Sequence, residues 1–232
     1  MNNMMKNLLG ATALGLACHA PASLAAYATG VADASLMVSN GSGYQLIGFE
    51  ITPSASSAAV GDALADADGD VLSLADGVLV TGTVFADALF PPASEASANY
   101  SSVQPLLVLN TSGAANTLDF SFDWSYVVDA VNDFLAPSEI ADATVTVSLQ
   151  QIANGVTTTL FSRTALATIA SGALTDAGSF AFSYELAAGE VTSFLVGVNA
   201  SSYAVTAVPL PASALLLAPA LGMLALRRRV AA

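Results

Sequence analysis

Between residues 26 and 206 the dominant pattern is period two. Over residues 118–126 every even position is apolar or aromatic and every odd position polar. Such alternation predicts a half-buried strand with Phe120, Phe122 and Trp124 turned into a core. Residues 144–150 repeat the pattern with β-branched side chains, and residues 179–186 repeat it with aromatics. Shorter runs predict strands at 36–38, 45–51, 78–85, 106–109, 157–161 and 192–198. Turn chemistry separates them at Asn40-Gly41, Asp76-Gly77, Asn154-Gly155 and Ala188-Gly189. Asn154-Gly155, set between two β-branched runs, is the strongest hairpin signal. Residues 129–140, ended by Ala136-Pro137, predict a loop or a short helical excursion. Many short strands without a helical pattern imply an all-β chain, an antiparallel β-sandwich of immunoglobulin-like or related type. The Pro/Ala/Ser-rich stretch 91–102 is the one candidate internal boundary.

The two ends break this pattern. Residues 1–25 read as a secretory signal peptide, with Lys6 in a short basic region and an apolar run over 8–17. Ala20-Pro21-Ala22 and Ser23-Leu24-Ala25 both fit the small-residue cleavage pattern, and cleavage is expected after Ala25. The apolar run would make about 15 Å of helix, too short to span a bilayer. Leu14-Gly15-Leu16-Ala17-Cys18 can also be laid against a lipoprotein signal, with Gly15 where that signal has its usual Leu. At the other end, residues 208–226 hold no charge and run straight into Arg227, Arg228 and Arg229. As a helix they reach about 28 Å, just enough for a transmembrane span. The Arg triplet would keep the C-terminus cytoplasmic and leave the body outside. Pro219 in mid-run weakens the helix, so the span reads as a temporary anchor. Three parts follow: a signal peptide (1–25), a β body (26–207) and a membrane tail (208–232).

Charge narrows the function. All 18 acidic residues lie between Asp33 and Glu190, and Arg163 is the lone cation among them. A phosphate backbone needs a Lys/Arg footprint, so nucleic acid is excluded as a partner. Cys18 and His19 are the only Cys and His, and both lie in the signal peptide. The mature chain would then lack thiol, imidazole and lysine. Disulfides, thiolate or His zinc sites, Ser–His and Cys–His nucleophiles and Schiff bases all drop out. No catalytic residue is assigned, and the chain reads as a non-enzyme. Asp119 and Asp123 lie about 13 Å apart on one strand, beyond the roughly 5–9.5 Å of glycosidase carboxylates. They read as a solvated strand face. Asp66, Asp68 and Asp70 match positions 1, 3 and 5 of an EF-hand loop, but Val71 replaces the turn Gly and Gly77 the closing Glu. They remain a candidate Ca²⁺ loop. Arg163 is expected to pair with a carboxylate. Asn-x-Ser sequons occur at Asn40, Asn99, Asn110 and Asn199.

Two resemblances follow from these residues. Val208-Pro209-Leu210-Pro211, an apolar helix and the Arg227–Arg229 cluster resemble the PEP-CTERM sorting tail, in a form with Leu210 where the commonest version has Glu. That resemblance implies recognition by exosortase, a membrane-embedded processing enzyme of Gram-negative bacteria with exopolysaccharide systems. It implies an inner-membrane intermediate followed by cell-surface or extracellular delivery. Leu210-Pro211-Ala212-Ser213-Ala214 can be compared with the sortase L-P-x-T-G signal, but Ser213 and Ala214 depart from it. Within the body, Leu109-Asn110 followed by Leu186-Ala187-Ala188-Gly189-Glu190 loosely resembles bacterial immunoglobulin-like modules, with Ala188 where those have Pro. The expected function is an exported structural or adhesive protein of the envelope or biofilm matrix. The alternatives are a carbohydrate-binding module for exopolysaccharide and, third, a secreted glycosidase. A sugar platform needs exposed aromatics, and only tyrosines such as Tyr100 and Tyr203 are candidates for one.

Overall fold

A computed structural model describes residues 25–48, 50–89, 94–132 and 139–206. These form twelve strands: β1 (Ala25–Asn40), β2 (Tyr44–Gly48), β3 (Ser54–Val60), β4 (Ala63–Asp68), β5 (Val71–Leu74), β6 (Gly77–Leu89), β7 (Glu95–Asn110), β8 (Asn116–Asn132), β9 (Ile140–Ala153), β10 (Val156–Thr168), β11 (Leu174–Leu186) and β12 (Val191–Val205). They make two antiparallel sheets of six strands. Sheet A has the order β11-β8-β1-β6, with β4 and β5 in succession along the outer edge of β6. Sheet B has the order β10-β9-β12-β7, with β2 and β3 in succession along the outer edge of β7. The expected antiparallel sandwich is therefore present. Of the segments read as signal peptide (1–25) and membrane tail (208–232), all but Ala25 lies outside the described residues. Among the described residues no helix is long and apolar enough to cross a membrane.

The expected hairpin at Asn154-Gly155 forms as a two-residue loop between β9 and β10. Both residues have positive φ, 52° and 76°, which is the backbone twist a type I′ turn requires. The expected loop over 129–140 is narrower than the reading: Asp129 to Asn132 complete β8 and Ile140 opens β9, and residues 133–138 are not described. The candidate boundary at 91–102 divides likewise. Residues 91–93 are not described, and Glu95 to Ser102 form the first half of β7. Both sheets take strands from either side of this stretch, so no division of the body falls within its described part.

Side-chain size sets the shape of the interior. Toward the β6/β7 side many inward positions are small, above all near the end where the chain termini of the body meet: Ala86 and Ala88 on β6, Ala96 and Ala98 on β7, with Ala28, Ala32 and Ala34 on β1. An interior lined by alanine is filled only if the sheets approach closer than the usual ~10 Å. Accordingly, Cα atoms of β1 and β12 come within 8 Å of each other across the core. Gly30 lies in this pinch, where an added Cβ would meet Val145 at 3.0 Å and Val84 at 3.2 Å. Toward β10 and β11 the sheets part and large rings fill the gap: Phe120, Phe122 and Phe194 fully buried, with Phe161, Phe180 and Phe182 packed against them. Phe120 stacks on Phe182 with ring centroids 5.1 Å apart, and Phe161 bridges Trp124 and Phe122 at 5.2 and 5.4 Å. The sandwich is a wedge, thin along β6/β7 and open along β10/β11.

The thin side shows how an edge strand can break without leaving bare backbone. Strand β2 pairs with 106–110 and β3 with 95–101, so nothing in the ladder faces 102–105. Gln104, fully buried, fills the break: its Oε1 accepts from Ile51 N–H at 2.8 Å and its Nε2 donates to Ile51 C=O. The strand expected over 45–51 stops at Gly48, and this side chain replaces the remaining ladder bonds. Pro105 sits in the same break, where the edge strand asks for no donor.

The two ends of the body lie together. Ala25 pairs with Leu89, and the Leu89 carbonyl accepts from Thr206 Oγ1 at 3.4 Å. Thr206 N–H also donates to the Ser94 carbonyl at 3.0 Å. The start of β1 and the end of β12 thus share one end of the sandwich, and the Asn154-Gly155 and Ala188-Gly189 turns mark the other.

The facing predicts a clean contrast on β8. Phe122→Asp places a charge at a fully buried position and should cost on the order of several kcal/mol. Ser121→Asp, one residue away on the outer face, should cost little. Urea unfolding of both variants, followed through the single tryptophan, measures the difference; equal stabilities would reverse the assigned faces.

Candidate functional site

The two outer faces differ in chemistry. Sheet A presents Asp33, Asp119, Asp123 and Asp129 from β1 and β8, joined by Asp66 and Asp68 on β4 and Asp87 on β6. Neighbouring hydroxyls and amides share these charges. Asp119 accepts from Ser183 Oγ at 2.6 Å and Asn40 Nδ2 at 3.2 Å, and Asp123 accepts from Ser121 Oγ at 3.2 Å. Asp119 and Asp123 therefore form the solvated face expected of them.

Sheet B presents rows of hydroxyls and amides. One row runs Thr164, Thr146, Asn199, Ser101, Ser54 across five strands, and the next runs Leu166, Thr144, Ser201, Asn99, Ser56. Two sequons lie antiparallel here, with Asn99 opposite Ser201 and Asn199 opposite Ser101; Ser101 Oγ donates to Asn199 Oδ1 at 2.6 Å. A shallow depression of about 270 Å³ lies between them. The other two sequons have local tasks. Asn40 binds Asp119 as above. Asn110, 1% exposed, donates from Nδ2 to the Ala114, Leu186 and Ala187 carbonyls at 2.9–3.0 Å.

The acidic run is not arranged as a loop. Asp66 and Asp68 stand on strand β4, alternating with the inward-leaning Ala65 and Ala67, and only Asp70 follows the strand. Asp68 and Asp70 each turn one carboxylate oxygen onto an adjacent backbone N–H, of Gly69 and Val71, at 2.8 Å. Among the described residues no three acidic side chains are placed to share an ion. If the run binds Ca²⁺, the melting temperature should rise with Ca²⁺ and the rise should vanish when all three become Asn; an unchanged melting curve leaves them as solvated acids on the sheet edge.

Two residues stand elsewhere than expected. Tyr100, a candidate sugar platform, is 2% exposed. Its ring crosses the thin side of the core beneath Gly69 and Gly82, where an added Cβ at Gly82 would lie 2.5 Å from the ring. Its hydroxyl has no hydrogen-bond partner among the described residues. Burial raises its pKa, the neighbouring Ser102 hydroxyl offsets part of the rise without completing a hydrogen bond, and the Asp70 and Asp68 charges add to it. Arg163, expected to pair with a carboxylate, instead holds its guanidinium over the Trp124 ring, 5.9 Å from the centroid, a cation–π contact at the open side of the wedge. Its position explains this: β10 alternation turns Arg163 to the same side as Phe161 and Ala165, toward the rings and away from the acids on sheet A.

Tyr203, the other sugar candidate, is half-buried on sheet B opposite Asp142. Burial raises the pKa of both, with Glu95 and Asp142 adding to the shift of Tyr203. A carboxyl whose pKa is raised in the folded state destabilises that state once ionised. The penalty is absent below the ordinary carboxylate range and complete above the raised value. Asp142→Asn should therefore raise the melting temperature at neutral pH, with the gain shrinking as pH falls through the carboxylate range. Thermal melts of both proteins across acid pH check this.

The positions expected for sorting, Val208, Pro209, Leu210, Pro211, Arg227, Arg228 and Arg229, lie outside the described residues. Ala25, where signal cleavage is expected, opens β1, and Ala26 is already fully buried. The Leu109-Asn110 and Leu186–Glu190 segments, noted as a pair in the sequence, do meet. Asn110 N–H donates to the Glu190 carbonyl at 3.0 Å, and Glu190 Oε2 accepts from Ala187 N–H at 2.7 Å. Compared with protein families, with characterised proteins and with solved structures, the chain shows no match.

Proposed function

We propose that this chain is an exported, non-enzymatic structural or adhesive protein of the cell envelope or extracellular matrix, delivered by a signal peptide and an exosortase-read tail. One observation carries the reading: the described body runs from Ala25 to Thr206, and both ends meet at one end of the sandwich. The two segments that resemble processing signals therefore adjoin the body at that one end. Cleavage on either side would leave every strand but the first residue of β1 whole. A chain held by its C-terminal tail would stand on that end, with the hairpin turns pointing away. The contact between Asn110 and the 186–190 turn supports an immunoglobulin-like type of sandwich. Of the two tyrosines named for the carbohydrate-binding alternative, Tyr100 is inside the core.

The sorting half of the reading is tested by fractionation. In cells with the matching exosortase, the protein should lose its C-terminal helix and leave the membrane fraction; in cells without it, the chain should stay anchored. An epitope placed ahead of Val208 reports both species. Replacing Arg227, Arg228 and Arg229 with Ser should lower correct processing, because it weakens the stop and the orientation signal together. The same intact, membrane-bound species in both strains would reduce the tail to a plain anchor.

A further inference from the structure

Four sheet edges are exposed in this sandwich, and three carry features that discourage pairing. The outer edge of β6 is covered by β4 and β5, short strands interrupted at Gly69-Asp70 and studded with Asp66 and Asp68. The outer edge of β7 is covered by β2 and β3, broken around Gln104. Strand β10 slips register at Leu160, an irregularity that bends a free edge. Breaks, bulges and charges are the usual means of blunting an edge.

Strand β11 has neither a break nor a bulge, and its charges stand only near its ends. It runs thirteen residues in unbroken register with β8 on one side and, among the described residues, has no strand on the other. It contains no Lys, Arg or Pro, and its two acids, Asp176 and Glu185, leave an uncharged run from Ala177 to Tyr184 between them. Its outward side chains there are Ala177, Ser179, Ala181 and Ser183, small enough to let another strand approach. Its inward rings, Phe180, Phe182 and Tyr184, are only half-buried because β10 and β11 scarcely touch across the open side of the wedge.

We propose that β11 is a self-association edge, pairing antiparallel with β11 of a second copy of this chain and joining two sheets A into one. The strand itself argues for this occupant and register. Phe180 is its midpoint, so a two-fold axis there pairs all thirteen residues. That register sets Gly178 opposite Phe182, the smallest residue against a ring, and Ser179 opposite Ala181. It also sets Asp176 opposite Tyr184 and Glu185 opposite Thr175, so no acid faces an acid. In a chain of net charge −13, a self-contact must avoid like charges, and this edge does. The contact is isologous, as closed two-fold assemblies require, and extends a sheet by backbone hydrogen bonds. It deepens the structural role proposed above by naming the chain's own copy as partner, but its test is independent of export or cleavage.

The test uses the full chain in a density-matched mild detergent at physiological ionic strength. Sedimentation equilibrium should give the mass of two chains, dissociating on dilution. Ser179→Lys/Ala181→Lys puts like charges opposite each other across the axis at exposed positions, and Ser179→Asp/Ala181→Asp does the same with opposite sign. Each variant alone should sediment as one chain, with its melting profile otherwise intact, and an equal mixture of the two should return to the mass of two. Thr157→Lys/Thr159→Lys, on the β10 edge, should leave the mass unchanged. A wild-type chain that stays single at every concentration reached overturns the proposal, as does a dimer that survives the paired lysines or a mixture that stays monomeric. Failure of sorting would appear in fractionation and leave these masses untouched, so the two readings can fail separately.

Discussion

The alanine-lined approach of β1, β6, β7 and β12 is the constraint on which the rest of this structure depends. Two sheets held closer than a normal sandwich on one side cannot stay parallel to each other without leaving a void or spreading on the other. The void is filled by rings from β8, β10, β11 and β12, so the core grades from alanine to phenylalanine across its width. Tyr100 is the exception that fits: a large ring in the thin half is admitted only because Gly69 and Gly82 remove the side chains it would strike. Replacing either glycine by a larger residue would force the ring out and part the sheets. The open side follows from the same cause, and so do the half-buried rings beneath β11 and the stacking of Arg163 on Trp124.

Much of this was legible in the chain as alternation. The facing of β8, the strands around 144–150 and 179–186, and the Asn154-Gly155 hairpin all follow from period two and turn chemistry. What escapes the sequence shares one reason: alternation is conspicuous only where large apolar residues make it. Residues 26–34 and 95–100 also alternate, but with Ala or Gly inside against Tyr, Thr, Val or Asp in the first and mostly Ala inside against Glu, Ser or Asn in the second, a contrast too slight to mark a strand. Read with alanine as a core residue, Ala96, Ala98 and Tyr100 fall on one face, and Tyr100 is buried by its parity. The acidic run is the same case, with Ala63, Ala65 and Ala67 inward and Asp66 and Asp68 outward. Strand β3 could not be found this way, since all seven of its residues are exposed and its place is set by backbone pairing with β7.

The surface chemistry was partly legible. The sequence shows that the body is acidic, but not that most strand acids gather on sheet A while sheet B, Glu95 and Asp142 apart, keeps hydroxyls and amides, because that division depends on which strands share a sheet. The same holds for the two sequons at Asn99 and Asn199. They lie a hundred residues apart in the chain and become a single patch only through the β7/β12 register. Arg163 shows the limit of charge counting. The lone cation of an acidic body, it is directed by strand parity toward the rings, and composition counts for nothing against the direction of a Cβ.

Topology ties the free edge to the proposed processing of the tail. Because the body's two ends share one end of the sandwich, a chain held by its tail has its strands running away from the membrane. Antiparallel pairing of two β11 strands points the two tail-bearing ends in opposite directions. Two chains anchored side by side in one membrane therefore cannot meet by this edge in the proposed register, however crowded they become. Only a released chain can turn over to present β11 in the opposing sense, to another released chain or to one still anchored. Proteolytic removal of the tail would then do more than free the protein: it would lift the geometric bar on assembly, so that the edge that invites pairing is kept idle by orientation until the chain has left the membrane.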